Sequence, residues 1–325
     1  MNSSNPFFFE LMTEDVINNL TQTREGEVKL GQKISAGQPN EKTKFLIIGI
    51  EESIGPRANY GLMGAENAFS AFLNRFLNMQ SNRFISGEQI SILGRIKCEN
   101  IAFSISDFRE AIEYLDELLE EILLKFINDG ITAIIIGGGH NNTYPIINSI
   151  SKIYNQPLFV VNCDPHADCR KLEGRHSGNG FNYAFDKGSL GEYCPIGLHK
   201  AYNSEHIFNF LEEKNCFYTF FEDYINNPDG FFDDIHQISE KLRNKIVGLD
   251  IDLDSIAMMP SSAYTPSGFN LEQVRYLVQK IGSHRETKYL HLTEGAPTNE
   301  TDQKTVGKAL AYLCWDFITN KQYSN

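Results

Sequence analysis

The sequence predicts an α/β protein, a mostly parallel central sheet held between two layers of helices. Three observations carry this expectation. Short apolar runs rich in β-branched residues, such as Ile134-Ile135-Ile136 and Val160-Val161, read as strands buried on both faces. Segments with a helical apolar period separate these runs, so that strand and helix alternate along most of the chain. Strands joined through helices close right-handed crossovers, which sets neighbours parallel and covers both faces of the sheet. Hydrophobic residues make up 41% of the chain and aromatic ones 12%, enough for the large core such a sheet needs.

In chain order, residues 1–42 hold one predicted helix (13–22) and then a Gly/Lys/Gln/Pro stretch, and read as an N-terminal arm or cover segment. Residues 43–325 read as one catalytic-sized domain, because no Pro-, Gly- or Ser-rich linker divides them. The first strand, 44–50, runs into Gly55-Pro56-Arg57-Ala58-Asn59-Tyr60-Gly61, a loop of the kind that holds substrate beyond a sheet. Helices follow at 65–77 and 107–129, the second with its acid run at 116–121 turned to solvent as an outer face. A strand at 131–136, a helix at 144–154 and the central strand at 158–162 come next. Residues 169–192 have glycines and no clear period and read as a long excursion. Short strands are expected at 195–198 and 217–220 around a helix at 204–214. A helix at 231–244 precedes the strand 245–251, and a loop over 253–268 leads to the helix 271–281. A strand at 288–292 and a helix at 306–319 close the chain.

Composition excludes several classes. The formal net charge is −13 with no basic stripe, which disfavours nucleic-acid binding. No run approaches the roughly 18–20 apolar residues that a membrane helix needs. Residues 1–10 lack a basic start and a long apolar stretch, so they do not read as a signal peptide. Six scattered cysteines without a CxxC pair suggest free thiols in a reducing compartment, and the cytoplasm is the expected location.

The chemistry gathers at strand ends. At the end of the central strand Asp164, His166 and Asp168 follow at i, i+2 and i+4, a spacing that aims all three to one side if the chain stays extended. The strand ending at Ile136 runs into Gly137-Gly138-Gly139-His140, and that ending at Leu249 runs into Asp250-Ile251-Asp252. In a parallel sheet these ends open on one edge. Burying four carboxylates there without cations would be very costly, so two His and four Asp argue for a pair of divalent ions. Such a pair activates water for attack on an electrophilic carbon or phosphorus without a nucleophilic Ser or Cys.

The set GGGH, DPHAD and DID resembles the ureohydrolase (arginase/agmatinase/formimidoylglutamase) family, whose patterns are GG(D/G)H, DxHxD and DxD. The resemblance runs from about residue 44 to about 318 and implies the arginase-like three-layer fold and two Mn2+ per subunit. Carried over by position, His140 and Asp168 hold one ion, His166 and Asp252 the other, and Asp164 and Asp250 bridge them. It further implies that His176, or a metal-linked carboxylate such as Asp164, passes a proton to the leaving nitrogen, and that Glu294 grips a cationic amidine or guanidine. The chain departs from arginases in two ways: no DP follows the DxD, and Gly248 stands at the Ser of Ser-x-Asp-x-Asp. The loops 54–61 and 176–181 resemble formimidoylglutamases instead. That activity converts N-formimido-L-glutamate and water into glutamate and formamide, as in histidine degradation. Its anionic substrate needs cations, and Arg57, Arg170 and Arg175 are the candidates, with Asn59 and Asn179 beside them. The family also implies a homo-oligomer. A urea-releasing guanidino hydrolase and a non-catalytic, metal-stabilised binding protein are the alternatives.

Overall fold

The computed structural model describes residues 5–99 and 104–323; residues 1–4 of the leading segment lie outside it. Its strands are β1 (Phe7–Leu11), β2 (Ser35–Ala36), β3 (Phe45–Glu51), β4 (Ile90–Cys98), β5 (Thr132–Ile136), β6 (Leu158–Cys163), β7 (Leu190–Ile196), β8 (Val247–Asp252) and β9 (Thr287–Thr293). They form one sheet in the order β1-β4-β3-β5-β9-β8-β6-β7, with β2 beside β4. Every pairing is parallel except β1 with β4.

The period of two along each strand builds two cores. Ile134, Ile136, Phe159 and Val161 face one layer, made by helices Ala68–Phe76, Gly230–Lys241, Leu271–Gly282 and Glu300–Tyr323. Ala133, Ile135, Leu158 and Val160 face the other, made by helices Ile105–Phe126, Thr143–Tyr154, Gly180–Asp186 and Glu205–Glu213. This is the expected three-layer sandwich, and its strands are apolar on both sides because both sides are covered. No helix among the described residues is long and apolar enough to cross a membrane, and all six cysteines are free.

Several elements differ from expectation. β4 went unread because Gly94 interrupts its alternation. Gly94 sits at a register shift against β3 with φ of 157°, and a side chain there would meet the Glu10 carbonyl. The leading segment supplies β1, whose Phe7 pairs with Cys98 and Leu11 with Gly94 along the edge of the sheet. The strand expected at 195–198 lies earlier, at Leu190–Ile196, beginning within the excursion that lacked a period. Residues 217–220 form no strand; Phe220 makes a single bridge to Leu198, and Phe208 packs against Tyr218 and Phe220. The acid run at 116–121 is not wholly solvated either, since Asp116 turns inward and is buried.

β5, β9, β8 and β6 are consecutive neighbours in the sheet. Their carboxyl ends therefore open side by side on one edge, which is where an open α/β sheet places its ligands.

Candidate metal centre

β5 delivers His140 through a glycine turn. Gly137 and Gly138 have φ of 91° and 69°, values that an L side chain rarely adopts. The buried Glu52, at the end of β3, fastens this turn. Its Oε1 accepts from the Gly139 N–H (2.8 Å) and the Asn142 amide (3.0 Å), and its Oε2 accepts from the N–H groups of Ile54 (2.5 Å) and Gly55 (3.0 Å). One carboxylate thus ties the GGGH turn to the short helix Ile54–Ala58.

β6 delivers Asp164, His166 and Asp168, although the chain does not stay extended past Cys163. Asp164 Oδ1 accepts the His166 N–H at 2.7 Å, which turns the backbone, and Asp168 has φ of 46°. Left-handed backbone at a residue of this kind is stored strain of the sort that gathers at functional sites. β8 ends at Asp252, and a single 3-10 turn, Leu253–Ser255, follows with the Asp254 N–H on Asp252 Oδ1 at 2.7 Å.

These ends converge. Nδ1 of His140 lies 3.1 Å from Asp164, 3.0 Å from Asp168 and 3.2 Å from Asp252. Nδ1 of His166 lies 3.4 Å from Asp164 and 4.0 Å from Asp254. His140 is fully buried, yet neither ring nitrogen makes a well-formed hydrogen bond among the described residues. Three carboxylates crowding one nitrogen without hydrogen-bond geometry is a ligand set around a common centre. Ligand atoms of His140, Asp164, Asp168 and Asp252 all lie within 4.8 Å of one another. His and carboxylate donors in this arrangement suit manganese, iron or zinc, and the residues fit a divalent ion.

The electrostatics agree. Burial opposes a charged His140, but the surrounding carboxylates outweigh it and lift its pKa well above the usual range. Burial, then the neighbouring Asp254 and Asp164, pushes Asp252 far up, and burial also raises Asp254 and Asp168. Burial works against His166 as well, yet Asp164 holds it at about 9. Burial is the main cost for these carboxylates, and positive charge among them would offset it.

The last acid pair sits differently from the expectation. Asp250, expected to bridge the ions, lies apart from the other aspartates: its oxygens accept from Tyr289 (2.6 Å), Thr143 (2.8 Å) and His291 (2.8 Å), and it forms a second group with His140 and His291 whose ligand atoms lie within 4.8 Å of one another. Asp252 and Asp254 line the cleft instead. The side chains of strand residues alternate, but Asp254 lies beyond the strand, on a turn whose direction sequence spacing does not reveal. The clue was the apparent departure itself. Moving the DxD pair by two residues places Asp250, not Gly248, at the Ser of Ser-x-Asp-x-Asp.

Glu294 stands where it was expected. It follows β9 with φ of 63°, is 3% exposed and lines the cleft. Its Oε1 accepts the His140 N–H at 2.6 Å, while Oε2 has no partner among the described residues. Burial, and then Asp254, raises its pKa to about 8.

The expected loop residues divide. Asn59 and Arg170 line the cleft, which encloses about 360 Å³, and Arg170 is half exposed with its guanidinium on Glu173. Arg57 does not line it; its guanidinium lies 4.2 Å over the Phe108 ring. Arg175 is 2% exposed, bonded to Asp116 (2.7 Å), Asn179 (3.1 Å) and the Asn141 carbonyl (2.8 Å), and flanked by Tyr144 and Tyr183. It has no donor face left for a substrate. Asn179 is spent within the loop, donating to the carbonyls of Lys171 and Gly174. His176 is buried too. Its Nδ1 accepts the Gly178 N–H at 3.1 Å and its Nε2 faces Glu173 at 3.3 Å, outside the cleft. Burial, then the charges of Arg109 and Arg170, lowers its pKa to about 4, so it is a poor proton carrier near neutrality. Sequence reasoning also missed Glu52, marked only by its place after a strand, and Tyr202, whose ring stacks 5.3 Å from that of His166 and which no motif marks.

The model of the family described as Arginase family matches residues 44–319. The chain belongs to the arginase family. It is similar to a formimidoylglutamase of Macrococcus caseolyticus (strain JCSC5402), with 26% identity over 271 residues that cover 83% of each chain. The fold is that of a crystal structure of formimidoylglutamase from Bacillus subtilis subsp. subtilis str. 168, with a TM-score of 0.77, 17% identity, and 92% of this chain and 93% of that one covered. A Trypanosoma cruzi formiminoglutamase solved with Mn2+ gives a TM-score of 0.74 at 19% identity, covering 92% and 99%. The arginase-like architecture that the motifs implied is therefore the architecture present.

Proposed function

We propose that this chain is a dinuclear manganese hydrolase that cleaves the linear amidine C–N bond of N-formimido-L-glutamate, giving glutamate and formamide. The observation that carries the reading is Glu294. A buried carboxylate with one free oxygen, lining the same cleft as the His/Asp cluster, suits a planar cation held against the metal ligands. The similarity to proteins named formimidoylglutamase supports the choice of substrate.

In this reading His140, Asp164, Asp168 and Asp252 would hold one ion, and His166 with Asp164 and Asp254 beside it would hold the other. The ions, when bound, supply an activated water at neutral pH and positive charge for the developing anion. Glu294 accepts from the amidine N–H groups and fixes the planar carbon over the ligand cluster. Arg170 and Asn59, on two neighbouring loops of the cleft, hold the carboxylate end of the substrate. Residues 43–325 then form the catalytic domain, and the free thiols suit a cytoplasmic enzyme.

The test is turnover by the manganese-loaded protein on formimidoylglutamate, arginine, agmatine and guanidinobutyrate, with formamide and urea both assayed. Formamide from the first substrate alone is the expected result. Urea from a guanidine would overturn the substrate and keep the metal centre.

A further inference from the structure

Behind the ligand cluster lies a second, wholly buried group of polar side chains that the proposed reaction does not use. Its centre is Asp250. The sheet places it there: on β8 Asp250 pairs with His291 of β9, and Tyr289 enters from the same strand. Tyr289 donates to Oδ2 at 2.6 Å, while Thr143 (2.8 Å) and Nδ1 of His291 (2.8 Å) donate to Oδ1. Asp250, His291, Tyr289 and Thr143 are each fully buried. Oδ1 also lies 3.7 Å from Nε2 of His140, on the side of that ring away from Asp164, Asp168 and Asp252. The His291 ring meets the His140 ring edge-on, with centroids 5.9 Å apart.

An imidazole that gives one nitrogen to a cation carries its proton on the other, and that N–H needs a buried acceptor. The carboxylate that faces Nε2 of His140, at 3.7 Å, is Asp250, which its three donors keep in a single orientation. We infer that Asp250 is a positioning residue for the metal centre, a buried anion that sets the tautomer and tilt of His140 and strengthens its hold on one ion. The inference rests on the proposed metal-binding reading. A carboxylate or other acceptor behind a ligating imidazole is worth about 10–100-fold in metal affinity. Because His140 faces the Asp168 side of the cluster and His166 the Asp254 side, only one of the two ions gains.

The experiment is a Mn2+ titration of the full-length apo-protein against a competing chelator, for the wild type, Asp250→Asn and Tyr289→Phe. Asp250→Asn should still bind two ions, one with affinity lowered about 10–100-fold and the other unchanged. Tyr289→Phe removes one hydroxyl that orients Asp250, keeps its charge, and should weaken the same ion by a smaller factor. Two unchanged affinities in Asp250→Asn would overturn the inference, and loss of an ion altogether would make Asp250 a direct ligand instead. Equal weakening of both ions would mark general loss of structure and would also overturn it. If Asp250→Asn does not fold, Tyr289→Phe decides alone, and unchanged binding overturns the inference. Failure of the wild type to bind divalent ions is a separate outcome, one that removes the metal reading itself.

Discussion

The two walls of the cleft are built differently. One wall is made of strand ends, where β6, β8 and β9 lead into His166, Asp168, Asp252 and Glu294 from adjacent positions in a parallel sheet, with His140 and Asp164 buried against them. The other is made of loops around residues 53–64 and 169–180. On the strand-end wall the side chains expected at the site are there, apart from a shift of two residues in the last acid pair. On the loop wall only Asn59 and Arg170 of the expected contacts face the cleft, while Arg57, Arg175, Asn179 and His176 serve the loops themselves. Strand geometry transmits direction over several residues. A loop spends its polar groups first on its own backbone and on its neighbours, and only the remainder is free for substrate.

This contrast can be broken from either side, and the largest effect belongs to the strand ends. Asp252→Ala removes one of the three carboxylates gathered around Nδ1 of His140. It should lower kcat by roughly 10³-fold or more, because metal charge is worth several kcal/mol in the transition state. Steady-state kinetics with a manganese count on the same sample checks this, and full activity with two ions retained would refute it. The next effect falls on stability. Asp116→Asn leaves the buried Arg175 guanidinium without its anion and should cost about 3–5 kcal/mol in denaturant unfolding.

Glu294→Gln keeps the shape of the side chain and loses its charge. A charge-assisted hydrogen bond is worth about 1.5–3 kcal/mol, so kcat/KM should fall roughly 10–100-fold with both ions still bound. Arg170→Ala should raise KM for an anionic substrate by about tenfold, and Arg57→Ala should leave KM unchanged. A KM that rises in Arg57→Ala and not in Arg170→Ala would reverse the reading of the loop wall.

The smallest effect concerns His176, and its sign can be worked out. Its folded pKa of about 4 lies below the usual histidine value near 6.5, so the fold prefers the neutral ring. Its contribution to stability is therefore complete above about pH 6.5 and is lost as pH falls through 4. His176→Asn should flatten the pH dependence of unfolding in that window and leave the limbs of the pH–rate profile between pH 6 and 9 in place. A displaced limb would return the proton-carrying role to His176.

Much of this molecule was legible in its residues. Leu158–Cys163 and Thr132–Ile136 are strands buried on both faces, and continuous β-branched runs announce that. GGGH and DPHAD stood out as candidate ligand carriers because a glycine run ending in His and acids after a buried strand have few other reasons to occur together. β4 was lost because one glycine and a bulge break a period that must persist to be read. The strand Leu190–Ile196 was misplaced because Gly191, Glu192 and Pro195 mask its apolar face.

By itself, then, the sequence determined the layer order and the family, and it marked His140, Asp164, His166, Asp168 and Asp252 as residues that would lie at the strand ends, all of which follows from local period and strand-end chemistry. Only the tertiary structure decided which aspartates face the cleft, which arginines are free, and that Asp116 and Asp250 point inward. Those choices depend on which donor lies across the sheet or on the neighbouring helix. Asp250 is held by Tyr289, Thr143 and His291, 39, 107 and 41 residues away in the chain, and Arg175 by Asp116 at 59. A buried polar group takes the partner that satisfies it, and partners so distant become neighbours only when the chain has folded.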